Sequence, residues 1–454
     1  MIFKSINPQT LETVASYPTF SETQIDQALV LAQKAYTHWQ QTSFKERSEK
    51  MLQVAQILRS RKEVLAHLIT TEMGKILPES YAEIEKCATH CEYFSAHSET
   101  FLQDVPIQTE TYQSIVSFEP VGAILAIMPW NYPFWQVFRY LAPTVMAGNI
   151  SLLKHAPNVI GCGIAIEDIF IEAGFPPGVF QNMILDTNHI ERIIQANIIQ
   201  GVTLTGSERA GTSVAAIAGK HIKKSVMELG GSDPFIVLED ADIQKAARIA
   251  VQSRFLNAGQ ACICAKRFIV VDRIFDDFLD AFQQEMQTYK QGDPLNSETR
   301  VGPMARIDLA QKLKTQLDQS ISQGARLLMG GQVSDCAFTP TLLGNIHSEM
   351  TVFKEETFGP LAAILGAKDA EQAIRIANQS RYGLAASLWT KNLDHAYQFS
   401  KKIEAGNVFV NSLVRSDSRL PFGGIKKSGF GRELSDWGQK EFTNMKTIVI
   451  EEMG

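Results

Sequence analysis

Between Ser21 and about Thr100, apolar residues recur at spacings of three and four, as in Ile25, Ala28, Leu29, Ala32 and Ala35. That rhythm predicts a mainly helical segment. Residues 111–119 instead alternate like an exposed strand, and 446–450 offers a matching one. Two strands so far apart in sequence could pair as an arm reaching toward another subunit. From Val121 the pattern becomes strand, loop, helix. It predicts strands over 123–128, 150–153 and 201–205, with helices over 134–147, over 161–173 and from Ser207. Such alternation implies parallel βαβ units with helices on both faces of the sheet. Gly230-Gly231 reads as a boundary. A second series follows, with strands over 235–238 and 268–271 and helices over 242–255 and 275–289. There is no internal repeat and no low-complexity run.

At 454 residues the chain is too long for one core and should divide into two or three domains. Its 45% hydrophobic and 20% charged residues are those of an ordinary globular protein. Formal charge is 43 − 49 = −6 with no basic run, which argues against nucleic acid as a partner. The N-terminus lacks the long apolar stretch of a signal peptide, and the most apolar run, 121–128, is too short to span a bilayer. The expectation is a cytoplasmic protein, off the membrane, whose six cysteines are reduced. Cys87, His90 and Cys91 share one helical stretch but lack a complete ligand set, so they read as packing, not a metal site.

The stretch Phe255-Leu-Asn-Ala-Gly-Gln-Ala-Cys262-Ile-Cys264 carries the strongest chemical signal. A structural cysteine usually sits in an apolar run. Cys262 instead follows Asn257, Gly259 and Gln260. Upstream, Met227-Glu228-Leu229-Gly230-Gly231 sets a carboxylate at the end of an apolar strand, beside glycines that permit close approach. A sulfur nucleophile and a base in such settings suggest covalent catalysis. Either segment alone would read as a core cysteine and a turn glutamate.

The Gly-x-Gly-x-x-Gly fingerprint and the P-loop are both absent. Thr205-Gly206-Ser207 stands at a strand-to-helix turn, where free N–H groups can receive a phosphate. Lys154 closes another strand, as a ribose or phosphate ligand or as a solvated lysine. In Pro129-Trp130-Asn131-Tyr132-Pro133, two prolines stiffen the loop that carries Asn131. That amide suits an oxyanion, or merely its own turn. Glu355-Glu356-Thr357-Phe358-Gly359-Pro360 and the glycine-dense Pro421–Glu433 segment are further candidates, or plain turns.

Taken in order, PWNYP, LLKHAP, TGS, MELGG, FLNAGQAC, EETFGP and PFGGIKKSGFGRE resemble the aldehyde dehydrogenase superfamily over essentially the whole chain. Within it the sequence is most similar to bacterial succinate-semialdehyde dehydrogenases. The resemblance implies an α/β fold with a Rossmann-type cofactor domain (1–105 and 120–229), an α/β catalytic domain (230–432) and a small β oligomerisation arm (106–119 and 433–454). It implies a homodimer or homotetramer that oxidises succinate semialdehyde to succinate with NAD or NADP. Cys262 is then the nucleophile, Glu228 the general base and Asn131 the oxyanion donor. Trp130, Lys154, Gly206, Ser207, Leu229, Glu356 and Phe358 fall at cofactor positions. Arg139 matches an arginine that holds a substrate carboxylate, and Ser416 lies in a loop, with Arg415 and Arg419, that could assist it. Cys264 stands where redox-controlled members carry a second thiol.

Three positions depart from the family pattern. Pro157 replaces a glutamate that repels a 2′-phosphate, so NADP should not be excluded. Tyr140 stands for a common lysine, and Leu256 for a second carboxylate-binding arginine. The competing readings are the same chemistry on another aliphatic or aromatic aldehyde, a catalytically silent binding protein, and a cofactor-free thiol hydrolase.

Overall fold

The computed structural model describes residues 1–452. Two sheets organise it. The first has six strands in the order Gly429–Phe430, Lys224–Glu228, Ile199–Thr205, Ala123–Ile127, Ile150–Lys154 and Phe180–Asn182, parallel except for the first. The central strands are apolar on both faces because helices cover both, as the near-continuous run Ala-Ile-Leu-Ala-Ile requires. The helix Trp135–Met146 is buried along its whole length and carries Pro143 inside it.

The second sheet has seven strands, ordered Arg326–Met329, Thr341–Gly344, Leu361–Ala367, Ala265–Val271, Asp233–Val237, Ala385–Trp389 and Asn407–Val410. Only its Arg326–Met329 edge runs antiparallel. Gly230-Gly231 lies between the last parallel strand of one sheet and the first strand to enter the other. The Gly429–Phe430 segment, expected in the catalytic domain, adds an edge to the first sheet instead.

A three-stranded antiparallel ribbon stands apart. Gln113–Pro120 pairs with Thr443–Ile450 over its full length, from Thr443 opposite Pro120 to Ile450 opposite Gln113. Val105–Pro106 closes its other side. The N-terminal hairpin, Ile2–Ile6 with Thr13–Pro18, was not expected from the pattern. Its hydrophobic residues do not follow burial, since Ile2, Ile6 and Val14 are exposed while Ser5 is buried, so no apolar alternation marks it. Among the described residues no helix is long and apolar enough to cross a membrane, and no cluster of His, Cys, Asp and Glu could hold a metal. Cys87 and Cys91 are buried in the helix Leu77–Phe101.

Candidate active site

Cys262 sits at the end of a turn held in an unusual backbone state. The helix Ile243–Phe255 stops at Leu256, and Asn257 (φ 52°), Ala258 (φ 52°) and Gly259 (φ 73°) follow in the left-handed region. The two non-glycine residues each cost on the order of 1 kcal/mol there, so the surroundings must hold them. They do. The Asn257 N–H donates to the Glu79 carboxylate at 3.0 Å, and its amide nitrogen donates to the Asn131 carbonyl at 2.8 Å. Arg254 donates to the carbonyls of Gly259 (2.8 Å), Ala265 (2.9 Å) and Gly359 (2.7 Å). A Cβ at Gly259 would lie 2.3 Å from the Gly359 oxygen, so only glycine fits this crossing.

The same turn positions two N–H donors beside Cys262, the Asn131 amide and the Cys262 backbone. Asn131 Nδ2 donates to the Gln260 carbonyl at 3.0 Å, which uses one of its two N–H groups and leaves the other. The Cys262 N–H has no acceptor among the described residues. The Cys262 carbonyl accepts from Lys266 Nζ at 2.5 Å, and the same ammonium reaches the Ala261 carbonyl at 3.0 Å and Glu356 at 3.6 Å. Lys266 is fully buried between the Cys262 loop and the Glu356 carboxylate. The motif containing it was legible; its role was not.

Burial dominates the acid–base state of the centre. It pushes the Cys262 thiol up to about 12, against the pull of Arg139 and Lys266. Glu228, 2% exposed at the end of its strand, is raised well above the carboxylate range by burial. Arg139 opposes that rise and Glu433 adds to it. Glu228 Oε1 has no hydrogen-bond partner among the described residues. Burial therefore favours the neutral form of both acids, while one guanidinium, Arg139, favours the ionised form of each.

Cys262 and Asn131 line a cleft of about 1370 Å³, together with Trp130, Gly206, Ser207, Leu229, Glu356 and Phe358. A space of this size suits a dinucleotide with a small substrate. Trp130 and Phe358 meet edge-to-face at 5.7 Å on its wall. Ser207 caps the helix Glu208–Lys220 by accepting from the Ala210 N–H, leaving N–H groups of the first turn for a phosphate. Glu356 is pinned by the Gly231 N–H at 3.0 Å, and a Cβ at Gly230 would lie 2.2 Å from its other oxygen. Lys154 ends its strand outside the cleft's lining, and its ammonium meets no acceptor among the described residues. Burial lowers its pKa. The remaining N–H groups of that helix's first turn and the fixed Glu356 carboxylate, both at one cleft, fit a nicotinamide dinucleotide.

The two expected substrate residues, Arg139 and Ser416, both have partners inside the protein. Arg139 is 2% exposed; its Nε meets the Glu433 carboxylate, Nη2 donates to Thr205 Oγ1 at 3.2 Å, and its charge lies over the Phe422 ring at 5.2 Å. Its charge is balanced inside the fold, unlike an arginine held out to a substrate. Glu433 was expected at the start of the arm, and nothing in its local sequence announces this partner. Ser416 lies outside the cofactor cleft and accepts from Lys86 Nζ at 2.6 Å. Cys264 is buried, with its sulfur 3.5 Å from the Leu256 carbonyl, and both thiols are free. Tyr140, at the usual lysine position, hydrogen-bonds Ser151 at 2.8 Å.

Comparison with known proteins agrees with this geometry. The aldehyde dehydrogenase family model matches residues 1–448. The succinate semialdehyde dehydrogenase [NAD(P)+] of Escherichia coli K12 is 45% identical over 98% of this chain and 97% of that protein. A probable succinate-semialdehyde dehydrogenase [NADP(+)] of Synechocystis is 44% identical, covering 99% of this chain and all of that one. The crystal structure of the Streptococcus pyogenes succinic semialdehyde dehydrogenase with NADP+ superposes with a TM-score of 0.97 at 35% identity, over 99% of this chain and 100% of that one. With the family motif, the relatives and the fold in agreement along nearly the whole length, the chain belongs to the aldehyde dehydrogenase family.

Proposed function

We propose that this protein oxidises succinate semialdehyde to succinate, using NAD or NADP. The observation that carries the chemistry is Cys262 with an uncommitted backbone N–H and the Asn131 amide, both lining a dinucleotide-sized cleft. The substrate rests on the relatives that share this length and these motifs.

In this reading the Cys262 thiolate adds to the aldehyde carbon and forms a thiohemiacetal. The oxyanion is held by the Cys262 N–H and the free N–H of Asn131, each such donor contributing about 3 kcal/mol. A nicotinamide held in the cleft by Glu356, Phe358 and Trp130 would supply the hydride acceptor for this carbon. The Cys262 thioester remains. Glu228, once deprotonated, takes a proton from water as the water's oxygen attacks the acyl carbon. The C–S bond breaks, the carboxylic acid leaves and loses its proton to solvent, and the Cys262 thiolate is regenerated. Arg139 does its work here by charge: it lowers the cost of ionising both Cys262 and Glu228. Trp130, Lys154, Gly206, Ser207, Leu229, Glu356 and Phe358 hold the cofactor. Pro157 offers no negative charge against a 2′-phosphate.

The same proposal assigns 1–105 and 120–229 to cofactor binding and 230–432 to catalysis, apart from the 429–430 edge. It assigns the ribbon of 106–119 and 433–454 to a homodimer or homotetramer contact in the cytoplasm. Apolar Val105, Ile107, Met445, Val449 and Ile450 are exposed on it, which supports that contact. A monomer by light scattering would remove it. The test of function is steady-state turnover, followed by nicotinamide absorbance, over aldehydes with and without a terminal carboxylate. Succinate semialdehyde should give the highest kcat/KM. Equal values for butanal would refute the substrate, and no turnover of any aldehyde would refute the activity.

A further inference from the structure

A four-carbon semialdehyde carries a carboxylate that some cation must meet, and the arginines of this region are poorly placed to do so. Arg139 is spent on Glu433, and position 256 is a leucine. Arg419 is locked to its neighbour Asp417, with contacts at 2.7 and 2.9 Å. Arg415 is exposed in the same loop.

One cation remains half-buried without an acidic partner. Lys86, on the helix Leu77–Phe101, has no ion pair among the described residues. Its ammonium lies 3.9 Å above the Trp135 ring and donates to Ser416 Oγ at 2.6 Å. One hydrogen bond leaves two of its three donors. The charge costs something to keep there, since burial and the neighbouring Arg139 lower its pKa to about 8.

The position relative to the nucleophile follows from the helix Trp135–Met146. Trp135 and Arg139 are four residues apart on it, one turn, on one face. Arg139 acts on Cys262 and Glu228, while Trp135 supports Lys86. Asn131 lies four residues before Trp135. None of Trp135, Lys86 and Ser416 lines the cofactor cleft, whose lining does include Trp130 and Phe358.

We infer that Lys86, held by Ser416 and the Trp135 ring, is the cation that selects aldehydes bearing a terminal carboxylate. This deepens the reading above and rests on it. Trp135 bounds the apolar middle of the substrate, and Ser416 keeps the ammonium at its far end.

The test compares succinate semialdehyde with butanal, which has the same number of carbons and no carboxylate, in the wild type, Lys86→Met and Lys86→Arg. Lys86→Met should lower kcat/KM for succinate semialdehyde roughly 10- to 100-fold, mainly through KM, as expected for one charge-assisted hydrogen bond. Butanal turnover should stay within about twofold, which also reports that the variant is folded. Lys86→Arg should restore most of the preference. Calorimetric titration with succinate should show weakened binding in Lys86→Met. Equal losses on both aldehydes, unchanged discrimination, or a selective loss in Arg415→Ala with none in Lys86→Met would overturn the inference. A wild type without preference for succinate semialdehyde would instead overturn the substrate reading, whatever Lys86 does.

Discussion

The Arg139–Glu433 pair offers the sharpest test of how charge is arranged beneath the nucleophile. Both groups are nearly inaccessible, and Arg139 also gives a hydrogen bond to Thr205. Removing one partner strands the other as a buried charge, at about 3–5 kcal/mol. Unfolding entropy scales with length, so in a chain of 454 residues each kcal/mol moves the midpoint by roughly 1 °C, and Arg139→Met or Glu433→Gln alone should lower the calorimetric Tm by roughly 3–5 °C. Arg139→Met with Glu433→Leu leaves no stranded charge and should recover most of that loss. Function gives an independent reading with a sign. Arg139 lowers the Glu228 pKa and Glu433 raises it. Arg139→Met should therefore move the alkaline-rising limb of thioester hydrolysis to higher pH, and Glu433→Gln should move it to lower pH. Each pKa unit corresponds to about 1.4 kcal/mol. The assay is single-turnover acyl hydrolysis across pH, alongside calorimetry of each variant. Shifts in the same direction, or single variants as stable as the wild type, would refute this electrostatic account. So would an Arg139 variant that loses only substrates with a carboxylate.

Other outcomes follow from the same geometry. Because burial holds the Cys262 thiol near 12 in the cofactor-free protein, its thiolate fraction rises about tenfold per pH unit through neutrality. Iodoacetamide inactivation should climb accordingly from pH 7 to 9, and a plateau near pH 7 would contradict it. Asn131→Ala should lower kcat by about 10²- to 10³-fold, and normal turnover in that variant would remove the oxyanion role. Both NAD and NADP should support turnover, and Pro157→Glu should reduce kcat/KM for NADP far more than for NAD. No detectable NADP turnover in the wild type would end that expectation.

Much of this architecture is legible in the sequence because local periodicity and tertiary burial agree. The parallel strands are short apolar runs between helical stretches, and Ile150–Lys154 and Asp233–Val237 fall close to where alternation puts them. The helix that begins after Ser207 is announced by its cap. The motifs around Cys262, Glu228 and Asn131 also stand out, since glycine and asparagine interrupt otherwise apolar segments. What the sequence conceals is partnership. Glu433 sits far from Arg139 in the chain, and only the edge strand at Gly429–Phe430 brings its segment under the sheet. Lys266 reads as a strand lysine until its ammonium is seen on the Cys262 carbonyl. Lys86 reads as one charge on a long amphipathic helix. Its meaning depends on Trp135 and Ser416, which come from other parts of the fold.

The covalent role of Cys262 is most directly tested by rapid-quench mass spectrometry of Glu228→Gln turning over succinate semialdehyde with NADP. With hydrolysis slowed, a succinyl thioester should accumulate on the peptide containing Cys262, in step with one equivalent of reduced cofactor. Reduced cofactor formed without any acyl adduct on that peptide would contradict the account.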